Sequence, residues 1–543
     1  MWQQDYVFAG GNLFYSAVIS AAPLFVLFYL LGVRRKPSWI AALWALGTAG
    51  VLALLIIRMP VQQAVAATLN GAAFGLFPIS WIVFSSILLY RIAVHTGKFE
   101  IIKDSLGALS DDRRLQLLLI GFCFSSFIEG SAGFGSPVAV SAAMLVGLGF
   151  PPFYAGVYCL LGNTSPVAFG SIGIPITTLT QITGLDVNML SAMTGRILSI
   201  VSVLVPIYMM VLMTGLRNAF AVTPALLASG VVFGAVQLLV SNLVGPELTD
   251  ILAALASIGA MTLLMKVWKP AKTFRLPGDK PVTAAHTRYG AGATLHAWAP
   301  YLLLVVFVLL WGYAPFKAQL NRLSVPIPVP GLNNLVERIP PVTPEPRPYP
   351  AVYDFAWLSA AGTACLIACL VAALVLRVKP REFLNIYLAT LRQLALPIVT
   401  ITTVLAVAFL MNYSGMTSTL GLAFAATGVA FPFFSALLGW LGVMLTGSVT
   451  SSNALFGNLQ VVTATSLDMN PVLTASANAA GGVMGKMISL QSIAVAVAAT
   501  GMAVAEEGKL FRFMLRHSII LVAVIGLLTV VYAYWLAGLV PQP

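Results

Sequence analysis

Glu129 is a carboxylate with no charged neighbour nearby. Arg114 is the last charge before it, and no Asp, Glu, Lys, Arg or His follows until Asp186. It sits in FIEGSAGFGSPVAVSAAM (127–144), a stretch otherwise made of apolar and small residues. Fifteen residues from Arg114 is roughly 22 Å of helix, well inside a bilayer. A carboxylate there is costly unless it is paired, wetted or protonated. One that gains a proton facing one side and loses it facing the other couples a proton gradient to movement. A static ion pair, a helix-end hydrogen bond or a contact that only gates substrate are the competing uses. Lys486 is the second isolated charge: between Arg392 and Glu506 the only charges are Asp468 and Lys486. Asp468 lies in LDMNP, a turn signal, and reads as a surface acid. Lys486 suits a substrate carboxylate, a pairing with Glu129, or snorkelling to an interface.

Polar, uncharged residues surround both charges. Gly130, Ser131, Gly133, Gly135 and Ser136 follow Glu129. Glycines weaken a helix and let the backbone turn, and Pro137 suits the first turn of a new one. The free N–H groups at such a start favour an anion. LTGSVTSSNALFGN (445–458) reads as the same kind of break, with Ser448, Thr450, Ser451, Ser452 and Asn453 in place of glycines. GNTSPVAFGS (162–171), with Asn163, Thr164 and Ser165, and SANAAGGVMGK (476–486), with Asn478, read as second breaks. Any single glycine equally serves close helix packing. The four clusters together point to a solute site, with these residues and Lys486 as its substrate contacts and Glu129 as its coupling acid.

Composition says what must position them. Of 543 residues, 59% are hydrophobic and 8% charged, against about 25% charged in a soluble domain. The expected fold is an all-α polytopic membrane protein of roughly 12–14 transmembrane helices, built from recurring segments of about 20 apolar residues. The segment 13–33 is too long for a cleaved signal peptide and reads as the first span. The net charge of +12 falls in short basic loops (34–36, 113–114, 266–288, 509–516), which orient a membrane protein. No basic folded module for nucleic acid is present. This puts both termini outside. Residues 98–116 read as an amphipathic surface helix. The Pro-rich stretch 325–350 reads as a solvent-side loop between two halves. The chain divides into 1–113, 114–215 (first motif region), 216–312 (scaffold-type helices), 313–352 (extracytoplasmic loop), 353–428 and 429–543 (second motif region).

The halves repeat. Gly130-Ser131, Asn163 and Gly170 are matched in order by Gly447-Ser448, Asn478 and Gly485, and a Thr-Gly pair follows in each half. Glu129 then corresponds to Thr446 and Lys486 to Ser171, so the charges break the symmetry. The basic loops run the two copies in opposite directions. Inverted repeats with interrupted helices mark secondary transporters, with the site at the repeat interface. Cys123, Cys159, Cys365 and Cys369 read as small buried hydrophobes. His95, His286, His296 and His517 lie near predicted helix ends or in loops, with a coupling role left open for His517. There is no Walker loop, zinc spacing or nucleophile elbow, and no cofactor is expected.

FIEGSAGFGSPVAVSAAMLVGLGFPP, YCLLGNTSPVAFGSIGIPITTL and LTGSVTSSNALFGNLQ with ANAAGGVMGKMISLQSIAVA resemble the bacterial lactate permease family over essentially the whole chain. The resemblance implies an inner-membrane proton symporter for lactate, with glycolate and related 2-hydroxy monocarboxylates as substrates. It also implies re-entrant hairpins and a transport part moving against a scaffold. The residues fit such a cargo, because co-transport with a proton removes the cost of moving a bare anion against a membrane potential. A sodium-coupled carrier of another organic anion, a channel and a membrane enzyme are the other readings. Beyond protons, a monocarboxylate and the bilayer, no partner is legible, and neither is an oligomeric state.

Overall fold

The computed structural model describes residues 1–133, 135–276 and 289–542. His286 and part of the 266–288 basic stretch lie outside the described residues. A bilayer offers the backbone no hydrogen-bond partner, so apolar runs become helices. Among the described residues 11 helices are long and apolar enough to cross a membrane, or 12 counting one bent pair. Twelve is the lower end of the expected range and 11 falls one short of it, because hairpin arms and interrupted helices such as Ser136–Gly147 are too short to count as spans.

Strand β1 (Trp2–Gln3) is followed by α1 (Leu13–Val33), α2 (Ser38–Ile56) and α3 (Val61–His95). α3 is interrupted at Phe77-Pro78, where the backbone is extended. Of the amphipathic surface helix expected over 98–116, only α4 (Lys98–Gly107) forms, with Phe99, Ile102 and Leu106 buried and a Glu100–Lys103 pair on its outer side; 113–116 are buried in the next helix. α5 (113–131) and α6 (Ser136–Gly147) pack side by side as a hairpin. α7 (Pro152–Gly162) and α8 (Val167–Thr183) are the bent pair, at 62°. α9 (Val187–Phe220), α10 (Thr223–Leu243), α11 (Thr249–Val267), α12 (Ala291–Gly312) and the short α13 (Ala314–Asn321) complete the first half.

The Pro-rich stretch is more ordered than a bare loop. β2 (Val325–Pro328) pairs antiparallel with β5 (Val352–Phe355). β3 (Val336–Arg338) pairs with β4 (Arg347–Pro348) and, in parallel, with β1. Gln4 Nε2 donates to the carbonyls of Asn412 and Tyr413 at 2.9 Å each, fastening the N-terminal segment to this end. The second half is α14 (Ala361–Val375), α15 (Pro380–Tyr413), α16 (Met416–Phe424), α17 (Phe431–Thr446), α18 (Val449–Ser466), α19 (Pro471–Lys486), α20 (Leu490–Thr500) and α21 (Glu507–Tyr534). α17 and α18 form a second hairpin; α19 and α20 form a second interrupted pair, and the two repeats are inverted. At the start of α21, Lys509 lies 4.9 Å over the Phe153 ring, near the base of the first hairpin, where Arg113 lies 5.5 Å over Phe150. At its end, Tyr534 donates to Val429 O (2.8 Å), at the base of the second. A helix of 28 residues spans about 42 Å, so the hairpins come from opposite faces.

One expectation is corrected. SANAAGGVMGK (476–486) is unbroken helix, and the interruption falls at 487–489. Its glycines serve packing. A Cβ at Gly481 would overlap Ala436 O, and one at Gly485 would overlap Trp440 O, so α17 and α19 meet backbone to backbone. Small residues at such interfaces give van der Waals contact where lipid removes the hydrophobic drive. Likewise, within 445–458 only Gly447-Ser448 is non-helical.

Candidate functional site

The first hairpin ends where its sequence allows a reversal. α5 stops at Ser131; Gly133 (φ 61°) and Gly135 (φ 83°) adopt left-handed backbone; Pro137 sits in the first turn of α6. Glu129 lies in the last turn of α5 and is 4% exposed. Asn163, at the end of α7, donates its Nδ2–H to Glu129 Oε2 at 3.1 Å. Gly170 leaves room for the carboxyl, since a Cβ there would come within 2.6 Å of Glu129 Oε1. Past the bend, Ser171 (φ 47°), Ile172 (φ 62°) and Gly173 (φ 72°) are all left-handed. Side chains pay steric strain in that region, and it persists where surroundings over-determine it. Here they do: Ser171 Oγ donates to Ala132 O at 3.0 Å, tying the α8 bend to the hairpin tip, and Gly173 abuts the Pro246 backbone.

The second hairpin turns at Gly447 (φ 72°). Lys486, the last residue of α19, is 8% exposed and donates from Nζ to Gly447 O at 2.7 Å. No ion pair joins Lys486 to Glu129 among the described residues. Both face one cavity of about 450 Å³, together with Ser171, Ser448, Thr450 and Ser451. Its apolar walls include Val167, Ile174 and Ile401, and its outer part is formed by Pro37, Ser38 and Trp39, next to the Arg34–Lys36 cluster. Ser448 caps α18 by accepting from Ser451 N (3.2 Å), so a helix N-terminus also faces the space. A cation, an acid, several hydroxyls and a helix N-terminus suit a small anion that carries its own hydroxyl.

The remaining predicted contacts stand behind this wall. A Cβ at Gly130 would come within 2.8 Å of Asp250 Cβ. Ser131 Oγ donates to Ile128 O (3.4 Å) and Thr164 Oγ1 to Leu161 O (2.6 Å). Ser136 faces a separate cavity of about 360 Å³, with Arg91 and His95. Ser165 is fully buried. Ser452 Oγ donates to Gly439 O (3.1 Å). Asn453 donates to Pro175 O and Asn478 donates to Asn453 Oδ1, each at 2.9 Å. These two amides join α8, α18 and α19, the helices of both repeats. Gly133 and Asn163 border the Glu129 carboxyl and Gly135 faces Val495 in the turn, instead of lining the cavity.

Sequence reasoning left Thr446, Gly170, Ser171 and Gln491 out of the site, though all four line the cavity. For Thr446 and Ser171 a signal existed, as they are the repeat counterparts of Glu129 and Lys486. Trp39 and Pro397, also lining it, come from helices outside the motifs and carried none. His517 lies elsewhere, its Nδ1 2.5 Å from the Tyr208 hydroxyl. The four cysteines are buried. Among the described residues no group of three or more His, Cys, Asp or Glu could hold a metal.

The model of the L-lactate permease family matches residues 16–536. The L-lactate permease of Escherichia coli (strain K12) is 46% identical over 552 residues, covering all of both chains. That of Bacillus subtilis (strain 168) is 44% identical, covering 99% of this chain and all of the relative. The glycolate permease GlcA of Escherichia coli (strain K12) is 43% identical over 99% of each chain. Among solved structures, the Neisseria gonorrhoeae efflux pump MtrF aligns with a TM-score of 0.51 at 13% identity, covering 94% of this chain and 97% of that one. This last likeness is one of fold.

Proposed function

This chain belongs to the L-lactate permease family, and from that premise we propose that it imports lactate and related 2-hydroxy monocarboxylates such as glycolate by proton symport. It is a multi-pass membrane protein and a transporter, not an enzyme. Relatives named for lactate and for glycolate support the substrate class. The single observation that carries the coupling is the cavity itself: Glu129 and Lys486 face it together without pairing to each other.

In this reading Lys486 turns its ammonium from Gly447 O to the substrate carboxylate. Ser171 and the Ser448–Ser451 hydroxyls receive the substrate hydroxyl. Glu129 takes a proton, so the loaded site is less charged when it crosses the field. Carrying a bare charge against the potential costs about 2.3 kcal/mol per 100 mV. The cavity reaches the Arg34–Lys36 end, which the positive-inside rule assigns to the cytoplasm. That supports an inward-facing arrangement in the bacterial inner membrane, with both termini extracytoplasmic. The hairpins and interrupted helices are the moving part, and the 216–312 helices belong to the scaffold.

The test is uptake of labelled lactate into proteoliposomes with proton and sodium gradients imposed separately. An inward proton gradient without sodium drives accumulation. Uptake that answers only to sodium rejects proton coupling and favours a sodium-coupled carrier.

A further inference from the structure

Asp250, in the first turn of α11, is 1% exposed. Neither of its carboxyl oxygens has a hydrogen-bond partner among the described residues. The helix dipole accounts for an acid in a first turn, but not for one sealed from water whose oxygens make no well-formed hydrogen bond, with the Gln237 amide a donor near them. Its Cβ packs against the backbone of Gly130, next to Glu129, and the two carboxyls are near enough to interact.

Buried polar side chains on α7, its bend, α9 and α10 contact one or the other of the two acids or each other. Asn163, which holds Glu129, has a free Oδ1, and Ser165 has a free Oγ. Ser165 O accepts from Gln237 Nε2 at 3.3 Å, and Gln237 Oε1 accepts from Ser202 at 2.7 Å. The Gln237 amide also interacts with Asp250. On the other side, Glu247 stands three residues before Asp250, in the loop that leads into α11. It lines a second cavity of about 600 Å³, shared with Lys317, Arg338 and Tyr349 of the β-sheet end of the molecule. Burial pushes the Glu247 carboxyl up, and Lys317 opposes this. Of the charged groups nearby, Glu129 on α5 faces Asp250, and Glu247 lies three residues before it on the loop that leads into α11. Lys486 shares the substrate cavity with Glu129, and Lys317 shares the second cavity with Glu247.

We propose that Asp250 is a second proton-carrying carboxyl on the outer side of Glu129, through which the coupled proton passes from the β-sheet-side vestibule to the substrate cavity. The proposal rests on the proton-symport reading and adds the route. A hydronium in the vestibule gives its proton to an Asp250 oxygen. As Asp250 gives one up, the Glu129 carboxylate gains one, and Glu129 later releases it to the inner cavity. No electron moves, and the pair's charge changes only by the proton gained and released. Gln237, whose amide reaches both Ser165 O and the Asp250 carboxyl, links that carboxyl to the segment that carries Asn163, and the buried Ser165 hydroxyl, able to donate and accept, lies in the same segment.

The test uses the full chain in proteoliposomes, as wild type, Glu129→Gln, Asp250→Asn and Asp250→Glu. Lactate accumulation under an inward proton gradient is compared with lactate counterflow at equal pH. Asp250→Asn loses accumulation out of proportion to counterflow, and Asp250→Glu restores accumulation with a displaced pH profile. Wild-type accumulation in Asp250→Asn, or an unmoved pH profile in Asp250→Glu, overturns the proposal. If wild type itself ignores the proton gradient, or follows sodium, the symport reading fails instead. Infrared spectra of Glu129→Gln protein give a readout independent of any Asp250 variant. A weakly hydrogen-bonded carboxylic acid band that responds to pH on the vestibule side is expected; its absence also overturns the assignment.

Discussion

Removing the Lys486 ammonium leaves the Gly447 carbonyl and a substrate carboxylate without their charged donor. A hydrogen bond to a charged group is worth about 1.5–3 kcal/mol, so Lys486→Ala weakens lactate binding by roughly 10- to 100-fold. Half-saturation of counterflow measures this, and an unchanged value returns Lys486 to a purely structural role. Gly170→Ala sets a methyl against Glu129 Oε1. Overpacking of that kind costs about 1–3 kcal/mol, and the displaced carboxyl makes proton-driven accumulation fall while the folded protein remains recoverable in detergent. Wild-type accumulation would show that the Glu129 position is not critical. Glu129 and Lys486 were legible because a lone charge in an apolar run has few structural uses. Ser171 was legible only as the repeat counterpart of Lys486, since hydroxyls are common in membrane helices and its left-handed backbone is visible only in the structure. Asp250 was missed because in sequence it closes PELTD, which reads as a loop edge; burial against Gly130 is visible only in three dimensions.

At the scale of elements, each repeat contributes a hairpin tip and an interrupted helix, and the site is where they touch. The second tip depends on Gly447, which is left-handed and has Gln491 Oε1 2.8 Å from a would-be Cβ. Gly447→Ala therefore strains the turn by about 1–3 kcal/mol and unseats the carbonyl that Lys486 holds. Slower lactate exchange with a lowered melting temperature is expected, and an unaltered melting temperature would contradict the strain. The breaks after Glu129 and at 162–171 were legible, because Gly, Pro and Asn together favour a bend. The break assigned to 476–486 was not, because a missing Cβ serves a turn and a close helix contact equally well. Gly481 and Gly485 make such contacts with α17, and sequence alone does not separate the two uses.

For the whole molecule, the inverted order was legible from the alternation of basic loops and the repeated Gly/Ser/Asn clusters. The two small sheets of 325–355 were not: short Pro-rich strands carry little periodicity, and β3 is completed by β1 from the far end of the chain. Pro37 and Ser38, exposed and next to the Arg34–Lys36 cluster, line the cavity, so Thr450→Cys should react with an impermeant thiol reagent applied to inside-out vesicles and be protected by lactate. The four native cysteines are buried and give little background. Reaction only from the opposite face would reverse the assigned orientation. The proposed function is that a small anion crosses with a proton taken by Glu129. The most direct test is to add lactate to proteoliposomes while following external pH and membrane current together. The account predicts alkalinisation of the medium with little current in wild type, and loss of the alkalinisation in Glu129→Gln. A lactate-driven current with no change in pH would contradict it.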